Sequence, residues 1–110
     1  MNQDRIVVVD RPTVVSQPDD GAVIPLTVIN TPSVRVTEIA FGAGAELAEH
    51  SAPAPIIVQV IEGAVDFEVG GVTHPLASPG LIHLAAAGER HRVFAARPAR
   101  IQVTMLLSAP

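Results

Sequence analysis

Short apolar stretches separated by turn-forming residues run along most of the chain. Val65, Phe67 and Val69 alternate with two acidic residues, which is the pattern of a strand with one buried face. Residues 56–61 form a nearly unbroken apolar run that is too short for a typical helix. No helical periodicity persists anywhere, so the chain is predicted to be built from strands.

The same criteria predict further strands at residues 22–29, 34–41, 72–76, 81–85, 91–96 and 100–107. Gly70-Gly71 between two of the strands is a hairpin signal. Pro25 cannot donate a ladder hydrogen bond, so its strand is expected at a sheet edge or bulge. No strand is predicted between Gly44 and His50. Many short strands with regular turns predict an antiparallel sandwich or closed barrel.

The first third of the chain carries a separate apolar run. Ile6 to Val9 lie between charged residues and are interpreted as an edge strand or an arm onto a partner. Residues 16–21 follow as a turn-rich segment. The length of 110 residues suits one domain, so residues 1–110 are predicted as a single domain in which 1–33 supply N-terminal strands or an arm.

Composition excludes some functions and favours others. Charged residues make up 16% of the chain, the net charge is −4, and the seven basic residues are scattered. A nucleic-acid partner is therefore not expected, because phosphate neutralisation needs clustered positive charge. Sparse charge also leaves apolar surface that a second copy can cover, so a homodimer is expected.

The chain lacks cysteine, which excludes disulfides and thiolate metal ligands. No apolar run reaches transmembrane length, and the N-terminal residues lack the order of a signal peptide. The sequence therefore predicts a cytoplasmic protein without a membrane partner.

The four histidines, His50, His74, His83 and His91, are the candidates for chemistry. Imidazole is the commonest metal ligand in proteins and an acid or base near neutral pH. His50 precedes a Pro-rich loop, and His91 begins a strand 41 positions later. Only the fold can bring this pair together. Each of the two can be a metal ligand or a pocket histidine that is hydrogen-bonded to backbone, to water or to the other histidine. His74 and His83 are interpreted first as ordinary strand residues.

Two spaced patterns surround these histidines. In the first, five residues separate Gly44 from His50, and six residues separate Ile56 from Gly63. In the second, five residues separate Gly80 from Ala86-Ala87-Gly88, and His91 comes after two more.

This spacing resembles the two sequence motifs of the cupin family over about residues 34–107. The resemblance implies a small single-domain, RmlC-like jelly roll, an all-β antiparallel barrel. In cupins the first motif supplies two histidines and a glutamate to a divalent metal, and the second supplies one histidine. Here His50 and His91 match two of these ligands, whereas Ala52 and Ile56 stand at the others. The resemblance thus allows one divalent transition metal on His50 and His91, with an incomplete ligand set.

Strand alternation extends this picture to a pocket. If His50 points into the barrel and the Pro-rich loop has no bulge, positions 52, 56, 58 and 60 share its face. His83 points inward with Leu81 and Ala85, or outward with Ile82 and Leu84 inward, and alternation leaves both open. The predicted ligand pocket comprises His50, Ala52, Ile56, Val58, His83, His91 and Val93.

The resemblance covers oxygenases, isomerases, decarboxylases, sugar-binding modules and sensors, so it assigns neither a substrate nor a catalytic residue. The first hypothesis is a protein that holds a small organic ligand in the barrel, with or without a divalent metal. One alternative is a metal-dependent oxygenase or isomerase, or a metal-free enzyme with His50 or His91 as general base. Another is a non-catalytic sensing or structural dimer.

Overall fold

The computed structural model describes residues 6–10 and 16–107, and the regular structure of these residues is entirely strand. The strands are β1 (Val23–Asn30), β2 (Val34–Phe41), β3 (Ala45–Ser51), β4 (Ile56–Glu62), β5 (Ala64–Val69), β6 (Val72–Ala77), β7 (Leu81–Leu84), β8 (Arg90–Ala95) and β9 (Ala99–Leu106). None of the described residues forms a helix long and apolar enough to cross a bilayer.

The strands assemble into two antiparallel sheets. One sheet has five strands in the order β1-β2-β9-β4-β7, and the other has four in the order β3-β8-β5-β6. The predicted all-β antiparallel architecture is confirmed. Pro25 lies on β1, an edge strand, as expected for a residue that cannot donate a ladder hydrogen bond.

The core lies between the sheets and is aliphatic apart from two phenylalanines. Strand β8 shows how alternation builds it, because His91, Val93 and Ala95 are buried while the intervening residues are exposed. The core cluster consists of Ile39, Phe41, Ala45, Ile56, Val58, Val60, Val65, Phe67, Leu84, Val93, Ala95, Ala99 and Ile101.

Gly63 marks the point where the chain passes from one sheet to the other, between β4 and β5. Its φ is +76°, and a Cβ there would lie 2.8 Å from the carbonyl oxygen of Pro98. Both features require glycine. The predicted hairpin at Gly70-Gly71 is also confirmed, with positive φ at both positions as a type I′ turn needs.

Strand β3 is missing from the sequence-based prediction. The segment Ala45–Ser51 contains one large apolar residue, Leu47, and its ladder with β8 has a register shift between Leu47 and His50. A bulge interrupts the two-residue alternation that identifies strands. The segment is therefore strand by virtue of its pairing with β8.

Ile6–Val9 do not form a strand, so the edge-strand interpretation is wrong, whereas an arm onto a partner stays a prediction. They are exposed, and the last three border a cavity with Val28, Ile29 and Val36. This cavity is on the outer face of the five-stranded sheet, since Glu38, which also borders it, lies between inward-facing Thr37 and Ile39. The segment thus covers part of that outer face.

Candidate functional site

An apolar cavity of about 210 Å³ lies between the two sheets. Most of its lining is aliphatic, and Phe67 contributes an aromatic ring. Polar side chains in the lining are the imidazoles of His50 and His91 and the hydroxyls of Thr37 and Ser51. Within the described residues, no carboxylate, arginine or lysine side chain lines it. The cavity therefore has an apolar body and one polar region.

The pairing of β3 with β8 brings the two cavity histidines together. His50 is the register partner of His91 in this antiparallel ladder, and the register shift after Leu47 sets that pairing. Directly opposed residues extend to the same side of a sheet. The two imidazole centroids are 4.3 Å apart, and the ring planes meet at 63°. Residues 41 positions apart in sequence thus form one contact.

Backbone carbonyls hold both rings by the same nitrogen. Nδ1 of His50 is 2.7 Å from the carbonyl oxygen of Ala48, and Nδ1 of His91 is 3.1 Å from that of Glu89. A carbonyl oxygen only accepts hydrogen bonds, so Nδ1 must carry the proton in each ring. In a neutral imidazole this leaves Nε2 unprotonated, with an available lone pair.

His91 sits in a less polar environment than His50. It is 4% exposed and stacks on Phe67, with centroids 5.3 Å apart and planes at 14°. Burial lowers the pKa of His91, the hydrogen bond to the Glu89 carbonyl partly opposes that shift, and the nearby His50 lowers it further. The His91 ring is therefore neutral at pH 7.

The donor set of the cavity does not fit a resident transition metal of the kind the fold resemblance implies. Tight sites use three or more protein ligands. Within the described part of the chain, no group of three or more histidine, aspartate or glutamate residues is placed to hold a metal ion. Ala52 and Ile56 line the cavity with hydrocarbon where the resemblance would put ligands. The chemistry of the site is therefore derived from its imidazoles alone.

His83 lies outside the cavity, contrary to its inclusion in the predicted pocket. On β7 it is exposed, while Leu84 is buried and Ile82 is half-buried. The inward face of β7 is thus the Ile82 and Leu84 face, one of the two arrangements that alternation left open. The His83 Nδ1 is 2.9 Å from the carbonyl oxygen of Ile56. His74 is an exposed residue of β6.

Three other polar residues close to the histidines or to the cavity strands in sequence do not line the cavity. Gln59 donates from Nε2 to the carbonyl oxygen of Pro79 at 3.3 Å. Glu49 pairs with Arg90 at 3.6 Å, so it does not orient the imidazole of His50. Glu89 contributes its backbone carbonyl to His91.

The remaining predicted pocket residues all line the cavity: His50, Ala52, Ile56, Val58, His91 and Val93. The alternation argument that connected position 50 to positions 56 and 58 is nevertheless wrong. His50 belongs to β3 in one sheet and Ile56 to β4 in the other. They face each other because the sheets oppose, and the linker at Ser51 to Pro53 passes along the cavity between them.

Sequence reasoning did not assign several cavity residues. Phe67, Ile101, Val103 and Met105 line the cavity, and Phe67 also supports His91. The alternation of Val65, Phe67 and Val69 marks Phe67 as inward-facing. It carries no information on which residue of another strand Phe67 meets.

Many solved structures share this fold. A cupin superfamily protein from Desulfitobacterium hafniense has a TM-score of 0.78 at 11% identity, covering 93% of this chain and 95% of that chain. An RmlC-like cupin from Desulfovibrio desulfuricans has a TM-score of 0.78 at 20% identity, covering 91% and 97%. KdgF from Halomonas sp. has a TM-score of 0.70 at 19% identity, covering 84% and 86%.

No protein-family model and no curated protein matches the sequence. The structural matches at these low identities define the fold: the chain has the cupin jelly roll, in the form of small RmlC-like proteins. This confirms the fold that the resemblance around His50 and His91 implies.

Proposed function

We propose that this protein binds a small organic ligand in the cavity between its sheets. The observation that carries the proposal is the His50 and His91 contact beside an otherwise apolar cavity. Ligand sites in proteins are typically apolar, with a few polar groups that fix the orientation of the ligand. An engineered cavity of roughly 150 Å³ accommodates benzene, so about 210 Å³ is enough for a small ring or a short chain.

The polar region of the cavity orients the ligand, and the aliphatic walls exclude water from it. His91 is held by Phe67 and by a backbone carbonyl, so little conformational freedom is lost when a ligand contacts it. The neutral His91 is also suited to accept a proton from a bound molecule. An enzymatic role therefore uses the same site, with His91 as the base.

The alternative of a metal-dependent oxygenase or isomerase rests on one divalent metal at His50 and His91. It ranks below metal-free binding, because two imidazoles fall short of the usual number of protein ligands. A zinc ion that stays bound through dialysis and is lost in His50→Ala would favour this alternative.

Association with a second copy is part of the proposal. The outer face of the five-stranded sheet presents apolar side chains to solvent, among them Ile24 and Leu26 of β1. The N-terminal segment adds the exposed Ile6 and Val8. Burying such a face against a symmetric copy removes apolar surface from water, which favours a homodimer.

The test of ligand binding uses xenon and three ring compounds of similar size, cyclohexanol, cyclohexanone and cyclohexanecarboxylate. We expect at least one of the three compounds, and xenon, to shift the methyl NMR signals of Val58, Ile101 and Met105. Val103→Phe fills the cavity from β9 and should abolish these shifts. Val72→Phe, at an exposed position outside the cavity lining, is the matched control and should retain them.

Unchanged methyl signals with xenon and with all three compounds would overturn the proposal. Equal shifts in Val103→Phe and in the parent protein would overturn it too, because binding would then lie elsewhere.

A further inference from the structure

We propose that the His50 and His91 pair presents two hydrogen-bond acceptors to the cavity, so that the site selects uncharged ligands with a hydroxyl or N–H donor on an apolar body. This inference rests on the proposed ligand-binding function and adds the ligand class. It predicts discrimination against carboxylates, and against molecules of the same shape that carry only acceptors.

Backbone carbonyls determine which nitrogen of each ring carries the proton. Both Nδ1 atoms lie within hydrogen-bond distance of carbonyl oxygens, at 2.7 Å for His50 and 3.1 Å for His91. If Nδ1 lost its proton to Nε2, two lone pairs would face each other in each of these contacts, which is unfavourable. The backbone therefore selects the Nδ1–H tautomer in both rings.

The other nitrogen of each ring, Nε2, is left to accept a hydrogen bond. No hydrogen bond within the described part of the chain uses Nε2 of His50 or His91. His91 is 4% exposed, yet its Nε2 is not among the fully buried side-chain atoms that lack a partner. The atom is therefore not sealed inside the protein, and His91 is one of the residues that line the cavity. A ligand donor that reaches Nε2 replaces water at an acceptor that none of the described residues uses.

The two arginines that flank His91 in sequence bring no positive charge to the cavity lining. Arg90 and Arg92 are on β8, on either side of His91, but they pair with Glu49, Glu46 and Glu68. No arginine side chain lines the cavity within the described residues. A carboxylate entering this site would lose its hydration and meet two lone pairs without a counter-charge. Neutral donors have no such cost.

The experiment compares ligands of nearly the same shape. Cyclohexanol should bind about fivefold more tightly than cyclohexanone at pH 8, the size of one net hydrogen bond. Cyclohexanecarboxylate should bind more weakly than either. Dissociation constants come from titrations of the cavity methyl signals. In His50→Phe, which keeps a ring of similar size at an exposed position, the advantage of cyclohexanol over cyclohexanone should shrink.

A second measurement reads the tautomer without a ligand. Long-range proton–nitrogen NMR spectra at pH 8 should show protonated Nδ1 and unprotonated Nε2 for His50 and His91. The exposed His74, for which no carbonyl contact is described, serves as the reference for an unrestrained ring.

The outcomes separate this inference from the proposed function. Equal affinity for cyclohexanol and cyclohexanone, tighter binding of the carboxylate, or protonated Nε2 in both rings would overturn the acceptor assignment while ligand binding stands. A stoichiometric zinc ion that survives dialysis and is lost in His50→Ala would also overturn it, because the lone pairs would then hold metal. If no compound binds at all, the proposed function itself fails.

Discussion

The outer faces of the two sheets each carry an arginine between two carboxylates, and their surroundings differ sharply. On the five-stranded sheet, Arg100 lies 3.3 Å from Glu38 and 3.2 Å from Glu62. On the four-stranded sheet, Arg92 lies 2.6 Å from Glu68 and 3.5 Å from Glu46. The Arg100 side chain is 19% exposed and Glu38 only 1%, whereas the Arg92 side chain is 49% exposed.

The outer face of the five-stranded sheet is therefore covered around Arg100, whereas that of the four-stranded sheet is open to solvent around Arg92. Val36, Glu38 and Ala40 are buried, although they lie outside the core cluster between the sheets. The N-terminal segment lies beside Val36 and Glu38 on this outer face. The outer face of the four-stranded sheet carries charged pairs in water. Similar ion pairs therefore have different energetic roles on the two sheets.

The largest expected effect is a loss of stability when Arg100, the largely buried arginine, is replaced. Arg100→Met keeps most of the side-chain stem and removes the charge that faces Glu38, so a nearly inaccessible carboxylate loses an ionic partner. We expect the free energy of unfolding to fall by about 3 kcal/mol, the usual cost of breaking a buried ion pair. Chemical denaturation measured by circular dichroism gives this value.

Arg92→Met is the matched control on the other sheet. Its partners are partly hydrated, so the change should cost less than about 1 kcal/mol and diminish at high salt. Equal losses in the two variants would contradict the distinction between a covered and a solvated outer face.

A smaller effect is expected on self-association. Leu26, 39% exposed on the five-stranded sheet, and Phe94, 36% exposed on the four-stranded sheet, are matched in exposure. Leu26→Lys should raise the dimer dissociation constant at least about tenfold, because it places a charge in the proposed interface. Phe94→Lys should leave it unchanged. Analytical ultracentrifugation distinguishes the 11.5 kDa protomer from a dimer. A parent protein that stays monomeric at high concentration would rule out this interface.

The smallest effect is a pH dependence of stability. It comes from His91, on the inner face of the four-stranded sheet. Burial lowers the pKa of folded His91 below the usual value of about 6.5. The unfolded chain therefore binds more protons at this site than the folded chain does, and stability falls as the pH decreases through and below about 6.5. The stability that comes from burying neutral His91 is fully present above the pKa of the unfolded chain. It is lost as the pH falls to the lower pKa of the folded protein.

The response to salt distinguishes this pH dependence, which comes from a buried group, from the contribution of the surface ion pairs. It should persist at about 1 M salt, where charges are screened beyond about 3 Å. It should diminish in His91→Phe, as measured by denaturation at each pH. An unchanged pH profile in that variant would show that other groups cause it.

Much of the fold could be predicted from local patterns. Alternation identified β5, and Gly70-Gly71 identified its hairpin with β6, because turn chemistry and side-chain period are local properties. Strand β3 could not be found in this way. Its only large apolar residue is Leu47, and the bulge before His50 interrupts its period.

The candidate site was predicted in part. The spacing around His50 and His91 pointed to both imidazoles, whose functional role stays a prediction. Local sequence contained no information on the stacking of Phe67 against His91, because that contact depends on how β5 and β8 are paired. The position of His83 was open for a similar reason, since the packing of Ile82 and Leu84 decides which way β7 faces.

The sequence by itself determined the strand-forming segments, the turns, the sparse charge and the residue types available for chemistry, since these follow from local composition and period. The tertiary structure alone decided that His50 opposes His91 and that backbone carbonyls hold both rings by Nδ1. It also decided that Glu38 is covered while Glu68 remains partly hydrated. These are properties of register and of the packing of distant segments, which no local pattern specifies.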